Sequence, residues 1–204
     1  MKGFYVALEG GEGAGKTTVA ALVQELLEER GERVTLVREP GGTELGDAIR
    51  RLVLHSVDMT PWAEATLFAA QRAQLITEIV RPALERGEIV ISDRSLYSSL
   101  AYQGGGRSLG FDDVLKVNLL AVGGLIPELV ILLGVDPEVG RSRQEVPDRI
   151  GRERHQFQQR VDEAYRQLSA ADPRRVMIVP AGDDPEAVAK GIVDLIDSYR
   201  PVDD

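Results

Sequence analysis

The sequence predicts an α/β fold, a five-stranded parallel sheet with helices on both faces. The first observation is that short apolar runs alternate along the chain with longer segments of helical pattern. Such alternation is typical of parallel sheets whose strands are connected by helices. The second is that the short runs are mostly apolar, without the alternation of a half-exposed strand. We therefore expect strands that are covered on both faces.

Each predicted strand is a run of five to seven residues. Between consecutive runs the chain is long enough for a crossover, as parallel pairing requires. In chain order the strands are FYVAL (4–8), RVTLV (33–37), EIVIS (88–92), LVILLGV (129–135) and RVMIV (175–179).

The predicted helices have apolar residues at helical spacing, and capping residues mark some of their ends. Thr60 is a predicted N-cap, with Pro61 in the first turn. Gly31 and Gly87 are predicted to end two helices. The run GGGR (104–107) is predicted to be a loop. The helices cover residues 16–30, 44–55, 61–86, 111–122, 137–146, 151–170 and 184–199.

Composition and charge exclude several classes of protein. A formal net charge of −9 repels nucleic-acid backbones and anionic lipid surfaces, so we predict no nucleic-acid or membrane partner. The absence of cysteine excludes disulfides and thiolate metal sites and fits a reducing compartment. No apolar run reaches the ~18 residues of a membrane-spanning helix. We predict a cytoplasmic protein with one domain, residues 1–204.

The stretch LEGGEGAGKTT (8–18) lies between the first predicted strand and the first predicted helix. It fits the pattern G-x-x-x-x-G-K-[ST], in which backbone N–H groups surround a phosphate because glycine leaves no Cβ in the way. A glycine-rich turn without a ligand is the alternative, but the position favours a nucleotide site of the P-loop NTPase fold. The predicted nucleotide-binding residues are Gly10, Gly11, Glu12, Gly13, Ala14, Gly15, Lys16, Thr17 and Thr18.

Lys16, Thr17, Asp93 and Arg94 narrow the type of reaction that the sequence predicts. Lys16 is predicted to reach the outer phosphates, while Thr17 and Asp93, which follows the third strand, are predicted to hold Mg²⁺. Arg94 stands where motor ATPases usually place a water-activating glutamate, and no N-K-x-D guanine motif occurs. A guanidinium beside the metal carboxylate suits an acceptor that is itself a phosphate. A surface Asp-Arg pair without function is the alternative.

Several stretches together resemble one family, the thymidylate kinases, which transfer the γ-phosphoryl group of ATP to dTMP. They are EGGEGAGKTT (9–18), REPGGT (38–43), LFAAQRAQ (67–74) and DRSLYSSLAYQGGGR (93–107). The second and fourth are far more specific than a P-loop alone. The resemblance implies a dTMP kinase that makes dTDP for dTTP synthesis, with ATP and Mg²⁺ as cofactors, and a homodimer.

The resemblance also implies roles for single residues. Glu12 is expected near the acceptor sugar, and Arg38 and Arg94 around the acceptor phosphate. Phe68 is expected to stack on thymine and Arg72, one helical turn on, to hydrogen-bond the edge of the base. A core phenylalanine followed by a solvated arginine is the alternative for that pair. The residues implied to line the base and sugar are Ser98, Ser99, Tyr102 and Gln103, with Tyr102 crowding out a ribose 2′-hydroxyl.

Phosphoryl transfer needs positive charge over the transferring group, which a closing lid usually supplies in this fold. The P-loop contains no arginine, so the chain resembles family members whose lid, here about 141–152, supplies it. The arginine-dense segment around it, 136–154, is shorter than the best-known bacterial pattern, and its arginines are Arg141, Arg143, Arg149, Arg152 and Arg154. The predicted catalytic residues are Lys16, Glu12, Arg94, Arg143 and Arg149. A solvated charged helix pair is the alternative for this segment.

Two other functions stay open at this stage. A deoxynucleoside kinase would accept a neutral sugar hydroxyl and would not need REPGGT. A nucleotide-binding regulator would bind ATP without acceptor-dependent turnover. The long helix at 61–86 either pairs across a dimer or covers the sheet. The adenine contacts are not predicted, although PAGDDPEAV (180–188) lies where the family borders the adenine.

Overall fold

The computed structural model describes residues 3–55, 58–135, 149–151, 153, 155–182 and 184–200. Within this part of the chain five parallel strands form one sheet in the order β2-β3-β1-β4-β5. The strands are β1 Phe4–Glu9, β2 Val34–Arg38, β3 Ile89–Asp93, β4 Leu129–Gly134 and β5 Val176–Pro180. The predicted fold class is confirmed, and each strand lies within one residue of its predicted bounds at either end.

Helices cover both faces of the sheet. The α-helices are α1 Lys16–Glu29, α2 Glu44–His55, α3 Pro61–Leu75, α4 Arg81–Glu85, α5 Leu96–Ser99, α6 Phe111–Val122, α7 His155–Ala171 and α8 Pro185–Tyr199. Two π-helical segments, π1 Ile76–Val80 and π2 Leu100–Gly106, continue α3 and α5. On one face α1 and α8 pack against alternate residues of β1, β3 and β4. On the other face α2, α3, α6, α7 and both π segments cover the remaining strand residues.

The expectation that every strand is covered on both faces is wrong for the two edge strands. β1 and β3 are buried along their whole length. In β2 and β5, by contrast, the side chains of Leu36 and Ile178 are 38% and 53% exposed. An apolar run does not reveal where its strand stands in the sheet, because the strand order is decided by tertiary packing.

Two further predictions, one of a helix and one of a loop, also need correction. Residues 61–86 are not one regular α-helix, since π1 interrupts them. The first three residues of the run GGGR (104–107) do not form a loop, because these glycines belong to π2. A Cβ on Gly105 would lie 2.5 Å from the Ala164 Cβ, and one on Gly106 would lie 2.7 Å from the Phe157 ring. These glycines therefore allow π2 to pack closely against α7, whereas their propensity alone suggested a loop.

Several expectations are confirmed or fall outside the described residues. The Thr60 hydroxyl accepts a hydrogen bond from the Ala63 N–H at 3.3 Å and caps α3, as predicted. The helix predicted at 137–146 and most of the lid at 141–152, including Arg143, lie outside the described residues. Among the described residues no helix is long and apolar enough to cross a membrane.

Candidate active site

The glycine-rich loop after β1 curls back toward the sheet and leads into α1. Gly10 has a φ of 143°, and a Cβ at this position would lie 2.9 Å from the Leu133 carbonyl oxygen. Gly15, with a φ of 82°, is the left-handed N-cap of α1. Both conformations favour glycine. The loop thus brings backbone N–H groups and a helix N-terminus to one place, which is the arrangement that binds phosphate.

Lys16 lies at the start of α1 and is buried, with 7% of its surface exposed. Its Nζ donates to the carbonyl oxygens of Gly10 at 3.1 Å and Gly11 at 2.8 Å. Burial, reinforced by the nearby Arg94 guanidinium, lowers the pKa of Lys16 to about 8. An anion in the loop would offset both effects, so the site favours a negatively charged ligand.

Thr17 and Asp93 meet across the loop, as predicted from their positions after β1 and β3. The Thr17 hydroxyl donates to Asp93 Oδ2 at 2.6 Å. Both offer oxygen ligands, which Mg²⁺ prefers, and Mg²⁺ usually completes its shell with water and phosphate. No group of three or more His, Cys, Asp or Glu suited to a metal occurs among the described residues. The donor set therefore fits a metal shared with a nucleotide better than one held in an all-protein cage.

A cavity of about 600 Å³ opens above the P-loop. The P-loop residues from Glu12 to Val19 line it together with Arg38, Asp93 and Arg94. Ala181, Gly182, Pro185 and Val188, between β5 and the start of α8, line it as well. They belong to the stretch 180–188 that the resemblance placed beside the adenine.

A second, smaller cavity of about 110 Å³ lies beside the first. Most of the predicted acceptor residues line it, namely Phe68, Ser98, Ser99, Tyr102 and Gln103. Sequence analysis assigned no role to five other lining residues, Glu39, Pro40, Arg50, Leu54 and Ile150. Glu12, Glu39, Arg50 and Arg94 line both cavities, so the two meet at a border of two carboxylates and two guanidinium groups.

Arg94 occupies the centre of this border in a left-handed conformation, with a φ of 76°. Its NH2 group donates to Glu12 Oε1 at 2.7 Å and its NH1 group to Ser98 Oγ at 3.1 Å. The guanidinium also lies 5.2 Å from the centre of the Tyr102 ring. A non-glycine residue at such a φ costs of the order of 1–3 kcal/mol and is common at functional sites. The structure thus holds Arg94 between the cavities by contacts on several sides.

Arg72 does not line the second cavity; it lies behind its wall. Its Nε donates to Glu39 Oε2 at 2.6 Å, and its other donors bond Ser99, Asn118 and the Ser95 carbonyl oxygen. Burial raises the pKa of Glu39, and the charge of Arg72 opposes that rise. Glu39 Oε1 is the one buried side-chain polar atom without a hydrogen-bond partner among the described residues. The role of Arg72 at the base edge stays a prediction.

Glu9 is a buried carboxylate that sequence analysis did not single out. Oε1 accepts from the N–H and hydroxyl of Ser95, at 2.8 and 2.7 Å, and from the Ser98 N–H. Oε2 accepts from the Ser98 hydroxyl at 2.6 Å and from the Tyr165 hydroxyl at 2.8 Å. Glu9 thereby ties the loop after β3 to β1 and α7. An acidic residue that directly ends an apolar strand was the signal available in the sequence.

Arg149 contacts the protein differently from what its predicted catalytic role requires. Its Nε donates to the Val53 carbonyl oxygen at 2.8 Å, and its NH2 group to Glu64 Oε2 at 2.6 Å. It lines neither cavity. The guanidinium of Arg107 reaches the same carboxylate at 3.0 and 3.1 Å. In this arrangement Arg149 anchors the chain at 149–151 to α3, and its catalytic role stays a prediction.

Comparisons with known proteins agree on one family. A family model described as "Thymidylate kinase" matches residues 8–192. The thymidylate kinase of Synechococcus sp. (strain JA-3-3Ab) is 44% identical over 192 residues, covering 94% of this chain and 94% of that protein. The thymidylate kinase of Clavibacter sepedonicus is 46% identical over 197 residues, covering 94% and 93%. The crystal structure of the Ehrlichia chaffeensis thymidylate kinase superposes with a TM-score of 0.80 at 26% identity, covering 96% of this chain and 100% of that one.

Proposed function

Because this chain belongs to the thymidylate kinase family, it phosphorylates dTMP to dTDP with ATP, and we propose that its two cavities divide the substrates between them. The larger cavity binds ATP and the smaller one binds dTMP. The observation that carries this proposal is the shared border, where Arg94 and Arg50 face both cavities. A phosphoryl group passes between two phosphates there, and guanidinium groups suit both.

On the ATP side, the P-loop backbone and Lys16 bind the phosphates. Release of Lys16 Nζ from the carbonyl oxygens of Gly10 and Gly11 lets it reach the β- and γ-phosphates. Thr17 and Asp93 would hold Mg²⁺, which neutralises phosphate charge during transfer. The residues between β5 and α8 border the adenine.

On the dTMP side, Arg94, Arg50 and Arg38 hold the acceptor phosphate. Arg38 lines the ATP cavity, so it reaches that phosphate from the border. Phe68 stacks on the base, and Tyr102 restricts the sugar. The Tyr102 hydroxyl lies 3.3 Å from Glu12 Oε1, so these two side chains close the pocket where a 2′-hydroxyl would stand.

The transfer itself is a direct in-line displacement without a covalent enzyme intermediate. The protein's contribution is to position the two phosphates and to place positive charge around the equatorial oxygens. Lys16 and Arg94 supply that charge among the described residues, and Arg143 is the further candidate from the lid.

The test is ADP formation from ATP and Mg²⁺ with dTMP, dUMP, the ribose form of TMP, dCMP, AMP or thymidine as acceptor. We expect dTMP to be strongly preferred and the ribose form to be rejected. Turnover with thymidine instead of dTMP would indicate a nucleoside kinase. ATP binding with no turnover for any acceptor would indicate a regulator.

We further propose a homodimer and a cytoplasmic location. Leu120 of α6 is 84% exposed and Trp62 of α3 is 40% exposed, and α3 and α6 pack side by side. A second copy on this face would cover these apolar side chains. The location is supported by the cysteine-free sequence. Sedimentation of the wild-type chain and of Leu120→Glu tests the dimer, since the variant should sediment as a monomer.

A further inference from the structure

We infer that Glu64 is a positioning residue that sets base selectivity, by turning the side-chain amide of Gln103 so that its carbonyl oxygen faces the dTMP cavity. The inference rests on the proposed function, because it concerns how that cavity tells one pyrimidine from another. It assigns a role to a buried carboxylate that lines neither cavity.

The orientation of Gln103 follows from the chemistry of its neighbour. Gln103 is 2% exposed and lines the dTMP cavity. Its Nε2 donates to Glu64 Oε1 at 2.9 Å. The two ends of a glutamine amide are similar in shape, but an ionised carboxylate can only accept hydrogen bonds. The amide nitrogen must therefore face Glu64, and the carbonyl oxygen must point away from it.

Glu64 stays ionised although its side chain is only 1% exposed. Burial by itself raises the pKa of a carboxyl group, but hydrogen bonds from Arg107, Gln103 and Arg149 outweigh it, so the pKa of Glu64 is lowered. A protonated Glu64 would carry an O–H donor and would allow Gln103 to turn over. Arg107 and Arg149 thus keep Glu64 ionised, so that it can only accept a hydrogen bond from Gln103.

The carbonyl oxygen of Gln103 is available to a ligand. No hydrogen bond to Gln103 Oε1 is formed by the described residues, and this atom is not among those enclosed without a partner. Since Gln103 lines the cavity, the oxygen is open toward it. The cavity therefore presents a hydrogen-bond acceptor at a fixed point of its wall.

A fixed acceptor separates thymine from cytosine. Thymine carries an N3–H donor on its pairing edge, whereas cytosine has an N3 lone pair there. Thymine can therefore donate to Gln103, and cytosine would place two acceptors against each other. A site with a buried polar group rejects a ligand that leaves the group unpaired.

The experiment compares kcat/KM for dTMP with kcat/KM for dCMP in the wild type, Glu64→Gln and Glu153→Gln. An amide at position 64 can donate as well as accept a hydrogen bond, so it no longer fixes the orientation of the Gln103 amide. We expect the dTMP/dCMP ratio of Glu64→Gln to fall roughly ten- to a hundredfold. Glu153 pairs with Arg107 but has no hydrogen bond to Gln103, so Glu153→Gln is the matched control and should keep the wild-type ratio.

Gln103→Met supplies the second test, because it removes the amide with little change in volume. Its ratio should fall as well, and adding Glu64→Gln to it should change the ratio no further. An unchanged ratio in Glu64→Gln or in Gln103→Met would overturn the inference. So would a loss in Glu64→Gln that is equal for both nucleotides, since it would reflect a structural role only. Absence of dTMP turnover in the wild type would instead overturn the proposed function.

Discussion

The proposed ATP side and the proposed dTMP side of the site are built in different ways. Consecutive residues of one loop, Gly10 to Thr17, form the core of the ATP side, mostly through backbone groups. The dTMP side collects side chains from the P-loop, the loop after β2, α2, α3, Arg94, α5, π2 and Ile150. Buried or half-buried ion pairs stand around it, Arg72 with Glu39, Arg94 with Glu12, and Arg107 with Glu64.

Because of this difference, we expect substitutions on the two sides to affect function and stability differently. A loop of backbone N–H groups whose single cationic side chain is Lys16 can lose function without losing stability. A pocket framed by buried ion pairs cannot, because removing one partner leaves an uncompensated buried charge. Four experiments test the contrast.

The largest expected effect is that of Lys16→Ala on the ATP side. We expect turnover to fall roughly 10³- to 10⁵-fold, since a positive charge over the transferring phosphoryl group is lost. The free energy of unfolding should not fall, because burial lowers the pKa of Lys16 and so disfavours its charged form. Steady-state kinetics and urea unfolding measure both, with the exposed Lys190→Ala as control. Near-normal turnover would remove the P-loop assignment.

On the dTMP side, Arg72→Ala should lower the stability of the protein, which Lys16→Ala should not. We expect the free energy of unfolding to fall by about 3–5 kcal/mol, because Glu39 is left buried without its cation. The pKa of Glu39 is already raised and would rise further. Since protonation then removes the buried charge, the deficit should shrink as the pH falls. Urea unfolding at several pH values checks this.

The control for Arg72→Ala is Arg51→Ala, which removes an exposed arginine on α2. It should change the free energy of unfolding by less than about 0.5 kcal/mol. If Arg72→Ala were equally mild, the ion pair with Glu39 would not hold the pocket wall together.

A pH titration of ATP binding tests the ATP side without removing a residue. The pKa of Lys16 is about 8 in the free enzyme, and bound phosphates raise it. Binding therefore takes up a proton above pH 8, so affinity should fall by up to roughly tenfold per pH unit there. Calorimetry between pH 7 and 9.5 measures it. Lys16→Met should show no such fall, and a pH-independent wild type would contradict the shift.

The smallest expected effect is that of Arg149→Ala. Glu64 would keep Arg107, so we expect a loss of about 1–2 kcal/mol in the free energy of unfolding, from the hydrogen bonds to Glu64 and Val53. The exposed Arg166→Ala is the control. If kcat fell much more than KM for dTMP rose, with stability unchanged, Arg149 would have the catalytic role that the sequence predicted.

Much of the fold could be predicted because its signals are local. The bounds of α2 and α6 match the prediction to the residue, and those of α1 and α8 to one residue. Apolar period and capping residues lie within each segment, so no distant contact is needed to see them. The glycines of π2 could not be interpreted this way, since their reason is the closeness of α7.

The same distinction between local signals and distant contacts applies to the candidate site. The sequence by itself predicted the P-loop and the Thr17 and Asp93 pair, because motif spacing and parallel strand ends place them at one edge of the sheet. The family resemblance, and not spacing, indicated Ser98, Ser99, Tyr102 and Gln103, which line the smaller cavity. Only the tertiary structure decided the strand order, the place of Arg72 behind the pocket wall and the contacts of Glu9, Glu64 and Arg149. These depend on which distant side chains share one buried space. A buried charge is stable only where packing supplies its partner, and no local pattern in the sequence specifies that partner.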